Sequence, residues 1–143
     1  MVLASSIASQ GCAESKLGAA GAQFDDELGG EPSGAVYFSK RSRLDDDTFT
    51  RIYPSLVDYR VTRLSLEDVP ITDASMRLIR QIPTLKALWL DNTKVSVSGV
   101  LLLQDAPGIT KIEIMSSDFA AEEVRLLVKK MPGVVNVHPP HID

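Results

Sequence analysis

Val61-Thr62-Arg63-Leu64-Ser65-Leu66, Leu85-Lys86-Ala87-Leu88-Trp89-Leu90 and Ile109-Thr110-Lys111-Ile112-Glu113-Ile114 are three versions of one pattern, set about 24 residues apart. Each is followed by the same succession. A large apolar residue comes first (Ile71, Val95, Phe119). Apolar residues at helical spacing follow (Met76 and Ile79, Val100 and Leu103, Val124 and Leu127), then a proline (Pro83, Pro107, Pro132). A fourth copy opens at Val134 and stops at Pro139. Alternation of apolar and polar residues marks a strand with one buried face. The helical spacing marks an amphipathic helix, and the proline ends it and turns the chain into the next strand. A unit this small cannot bury its own apolar face, so neighbours must stack. Stacking puts Leu64, Leu88, Ile112 and Val137 in one buried column.

Residues 35–60 fit the same template loosely. Ala35-Val36-Tyr37-Phe38 is a short strand by composition, although its inward set is open between Val36/Phe38 and Tyr37/Ser39. Leu44, Phe49 and Ile52 match the helix positions, and Asp45, Asp46 or Asp47 suits the helix start. This segment is expected to be a divergent N-terminal cap. Thr72 or Asp73, Ser96 and Asp118 are the corresponding caps further on. Residues 1–34 hold six of the nine glycines, many Ala and Ser, and no apolar period. They are expected to form a disordered tail. Residues 35–143 are then one domain: cap (35–60), three units (61–133) and a C-terminal cap (134–143).

A net charge of −4, from 15 basic and 19 acidic residues, opposes a general affinity for nucleic acid or anionic membrane. The lone cysteine, Cys12, excludes an internal disulfide. No apolar run reaches the length of a membrane span. Cys12 follows Gln10-Gly11, but Ser9 stands where a lipoprotein signal needs an aliphatic residue, so a lipid anchor at Cys12 is disfavoured. These features point to the cytoplasm; a start upstream of Met1 would allow an exported or envelope-associated protein.

The strand pattern L-x-x-L-x-L, followed by Asn92-Thr93-Lys94-Val95 in the second copy and by Ile71-Thr72-Asp73 in the first, resembles the leucine-rich repeat family. The closest type is the ribonuclease-inhibitor-like one, with bacterial Thr-Asp-Ala-Gly repeats. The third copy departs from it, with Ser116-Ser117 at the turn. The resemblance implies an α/β fold: a short solenoid with a parallel concave sheet of about four to five strands and helices on the convex side. It also implies protein binding on the concave face, and no chemistry.

Aligning the copies puts Ser65, Trp89, Glu113 and His138 at the centre of that face. Arg63, Ala87, Lys111 and Asn136 flank them on one side, Glu67, Asp91 and Met115 on the other. Trp89 is the sole tryptophan, a residue type enriched among interface hot spots. Mixed charges around it suit a protein or peptide better than nucleic acid. The expected partner-binding set is Arg63, Ser65, Glu67, Trp89, Asp91, Lys111, Glu113 and His138. His138-Pro139-Pro140-His141 lacks a third metal ligand, and Asp45-Asp46-Asp47 lacks the spacing of a calcium loop. No nucleophile motif or phosphate loop is present. The sequence therefore reads as a non-enzymatic interaction module without catalytic residue, cofactor or metal. A tethered envelope protein and a regulatory or assembly subunit of an enzyme are the other readings.

Overall fold

In the computed structural model, Leu64, Leu88 and Ile112 stand side by side on three neighbouring parallel strands. The structure describes residues 2–26, 32–106 and 108–139. The chain runs α1 (Val2–Ala19), β1 (Gln23–Asp26), β2 (Pro32–Tyr37), α2 (Asp46–Tyr59), β3 (Arg63–Ser65), α3 (Asp73–Ile79), β4 (Ala87–Trp89), α4 (Val97–Leu101), β5 (Lys111–Met115), α5 (Ala121–Lys130) and β6 (Val135–His138). Short 3-10 turns stand at Lys40–Ser42, Leu102–Asp105 and Ser116–Asp118. The fold is mixed α/β, with one six-stranded sheet in the order β1 to β6. Strands β2 to β6 are parallel, and β1 runs antiparallel to β2.

Neighbours in space are neighbours in sequence, and a helix makes each parallel crossover. Crossovers of one hand carry their helices to one face of a sheet. Accordingly α2, α3, α4 and α5 touch in order. Between sheet and helices lies a single core. Leu64, Leu66, Leu88, Ile112 and Ile114 point into it from the strands. Leu56, Met76, Ile79, Val100 and Leu127 meet them from the helices. Burying each such side chain contributes about 1.5–3 kcal/mol, which drives the layer to close. Val36 and Phe38 face the same core, which fixes the inward set of β2 and leaves Tyr37 on the other face.

The helix starts are linked from one to the next. Asp45 caps α2 by accepting from Thr48 N–H, and Thr72 and Ser96 cap α3 and α4. Asp46 then reaches across to the next helix start, accepting from Thr72 N–H (3.0 Å), Thr72 Oγ1 (2.7 Å) and Ser75 Oγ (2.6 Å). Asp118 does not cap α5; Ala120 holds that position, and its N–H donates to Glu123 Oε1 at 2.9 Å.

Further expectations differ from the structure. The sheet has six strands, because β1 adds to its edge from the segment expected as a disordered tail. That segment carries a helix: Ala13 and Leu17 of α1 are buried in the core, and α1 packs along α2. Phe24 of β1 meets Tyr59 of α2 with ring centroids 5.2 Å apart. The physical reason is that cap helix α2 still has an apolar flank needing cover, and a few small or apolar contacts suffice for a helix rich in alanine. The fourth copy is also out of register: Val135, not Val137, lies beside Ile112, and Val137 lies beside Ile114.

Candidate functional site

The face opposite the helices is made of residues that alternate with the core set. Pairing puts Ala35, Arg63, Ala87 and Lys111 in one row across the strands. The middle row is Tyr37, Ser65, Trp89, Glu113 and Asn136. Beyond it, Met115 pairs with His138, while Glu67 and Asp91 follow two residues after Ser65 and Trp89. All eight residues expected on this face thus lie in these three rows. His138 is the exception in position: it stands in the outer row and Asn136 takes its place in the centre. Partners on β5 and β6 are 23 residues apart in sequence where those on β3, β4 and β5 are 24 apart, and placing His138 level with Glu113 would need 25. A two-residue difference keeps a side chain on the same face and moves it one row along the strand.

Small residues alternate with large ones. Ser65 and Ala87 are buried, although they point away from the core. Tyr37, Arg63 and Trp89 beside them are half-buried, so the small residues form the floor under larger walls. The Lys111 ammonium sits over the Trp89 ring, 5.2 Å from its centroid, and also pairs with Glu113 Oε1 at 3.3 Å. A cation against an aromatic face is attracted by the ring quadrupole. Tyr37 Oη–H donates to Asp25 Oδ2 of β1 at 3.3 Å; burial and the Asp25 charge push that phenol above its ordinary range. Tyr37 was missed in the sequence because the register of its strand was open.

The outer row holds the most confined acid. Asp91 is 4 % exposed. Its Oδ2 lies 2.8 Å from His138 Nε2, and its buried Oδ1 has no hydrogen-bond partner among the described residues. Burial pushes the Asp91 carboxyl above the ordinary carboxylate range, and the bond to His138 opposes that push. The hydrogen bond from the ring to the Pro139 carbonyl, and then the bond to Asp91, hold the His138 imidazole above its ordinary value.

Past the outer row the strand ends turn through a polar ladder. Asp68 and Asn92 both adopt left-handed backbone (φ 63° and 55°), which short polar side chains tolerate. Asn92 Nδ2–H donates to Asp68 Oδ1 at 2.8 Å, and Asn92 N–H donates to Asp118 Oδ2 at 2.7 Å. The turns are thereby tied to one another by mixed Asp and Asn side chains. An open depression of about 610 Å³ lined by Ser39, Lys40, Arg41, Arg43 and Asp68 adjoins this end and does not include Trp89.

Among the described residues no set of three or more His, Cys, Asp or Glu is placed to hold a metal ion, and no helix is long and apolar enough to cross a membrane. His141 lies outside the described residues. No protein-family model matches this chain, and no curated protein matches it.

Proposed function

We propose that this protein is a non-enzymatic interaction module of the leucine-rich repeat type, binding a protein or peptide on the sheet face around Trp89. Under this reading the parallel strands are the concave side of a short solenoid and α2 to α5 its convex side. The observation that carries it is Trp89 itself: a half-buried tryptophan in the middle row of the sheet face opposite α2 to α5. Aromatic anchors ringed by charge are the usual energetic centre of protein interfaces. Arg63 and Lys111 on one side and Glu67 and Asp91 on the other would orient the partner, since a basic and an acidic row flank the aromatic one. Docking of α1 through Ala13 and Leu17 weighs against a free leash over those residues.

The test is capture from lysate with wild-type and Trp89→Ala baits, followed by titration of whatever is recovered. Loss of a hot spot weakens binding by about 2 kcal/mol, close to thirtyfold. Equal affinity for the two baits would move the site elsewhere.

A further inference from the structure

We infer that His138 is a proton-operated latch: when its ring carries two protons it ties the last strand, β6, across β5 to Asp91 at the end of β4, and when neutral it must release one of its two ties. The two ring nitrogens face two acceptors. Nε2 is 2.8 Å from Asp91 Oδ2, and Nδ1 is 3.1 Å from the Pro139 carbonyl oxygen. A neutral imidazole has one N–H and one lone pair. It can satisfy either acceptor; the other contact then sets a lone pair against an oxygen. Only the imidazolium donates to both.

The tie is long-range. His138 and Asp91 are 47 residues apart in sequence, and β5 runs between them. Met115, level with His138, brings no charge to the gap. Among the described residues, Glu113 of β5 favours the charged ring, while Glu113 and Asp118 of the following 3-10 turn both push the Asp91 carboxyl upward; Glu67 stands next to Asp91 in the same row. Lys111 engages Glu113, not Asp91. The other element packed on β6, α5, turns Leu127 into the core, while its Glu122, Glu123, Arg125, Lys129 and Lys130 are exposed. In the tautomer protonated on Nδ1 it is the Asp91 tie that is released, leaving a confined carboxylate whose Oδ1 already has no donor among the described residues, so that open state must admit water to it. The latch therefore sets how much negative charge the outer row presents. It rests on this geometry and not on the existence of a partner.

The experiment is an NMR titration of the histidine rings in the full chain, with hydrogen exchange at the β6 amides from pH 5.5 to 8.5, corrected for intrinsic rates. His138→Gln identifies the His138 signal. The expected results are a midpoint above the ordinary histidine value and β6 exchange that speeds up about tenfold across it, the worth of one charge-assisted hydrogen bond. In Asp91→Asn the midpoint falls; in His138→Gln the pH dependence of β6 disappears. Corrected β6 exchange in the wild-type chain that does not change with pH would overturn the latch, whatever the variants do. So would a His138 midpoint that Asp91→Asn leaves in place. Equal partner affinity of the wild-type and Trp89→Ala proteins with this behaviour intact would count against the interaction reading alone.

Discussion

Asp73 accepts both the backbone N–H (2.8 Å) and the hydroxyl (2.5 Å) of Ser96, so the first residue of α3 holds the cap of α4. Gly99 is what makes this contact possible. A Cβ built there would collide with the Asp73 carboxylate and with Val95 Cγ1. Gly99→Ala should therefore destabilise the protein by about 1–3 kcal/mol, although alanine is the better helix former. Urea unfolding measures it. A neutral or stabilised variant would mean that Asp73 has another place to go.

Asp46 predicts how the fold responds to acid. Burial pulls its carboxyl upward, but hydrogen bonds from Ser75 and Thr72 outweigh that and hold it below the ordinary range. A carboxyl lowered in the folded state adds stability above its unfolded pKa of about 3.9, and that stability is lost as pH falls through the folded value. Asp46→Asn should thus cost about 1–2 kcal/mol at pH 7 and flatten the acid limb of a stability-against-pH curve below about pH 4. Chemical unfolding at stepped pH shows both effects. An unchanged acid limb would mean the link between α2 and α3 carries no proton dependence.

Leu17 tests whether the N-terminal helix belongs to the fold. It is fully buried in the core that α2 shares. Leu17→Ala should cost about 2–4 kcal/mol, as for any large-to-small change in a packed interior. If thermal unfolding of this variant matches wild type, α1 docks without contributing.

Trp89 gives an optical readout, being the sole tryptophan. With its ring half-buried and Lys111 over one face, it should be quenched by acrylamide to an intermediate degree. Lys111→Ala should raise the quenching constant and red-shift the emission, because a covered ring face becomes wet. Identical quenching in the two proteins would show that the ammonium does not shield the ring in solution.

The strands, the core and most of the face were legible in the sequence for one reason. Leu64, Leu88 and Ile112 recur at equal spacing, and each brings its alternating neighbours to the same depth. Legibility ended where spacing did. The interval from Ile112 to Val135 is shorter by one, through the turn at Pro132-Gly133, where Gly133 has φ 76°. His138 consequently stands two residues along the same face from the level of Glu113, beside Met115, where its bond to Asp91 escapes the pattern. Helix α1 and strand β1 carry no period to read: their docking rests on Ala13, Leu17 and Phe24, too few to form a pattern. The Asp46 and Asp73 links were hidden for a different reason. Acidic residues at a helix start favour the dipole in any protein, so their second task, gripping the next helix, leaves no mark in the sequence.

The reversed strand β1 gives the described sheet two unlike margins. Along β2, backbone groups that could have templated a parallel neighbour are already used by a strand of opposite direction. At the other side stands β6, which keeps the direction of the strands beside it. Strands pairing at the two margins would meet opposite chain directions, and a charge change at His138 acts at the β6 margin.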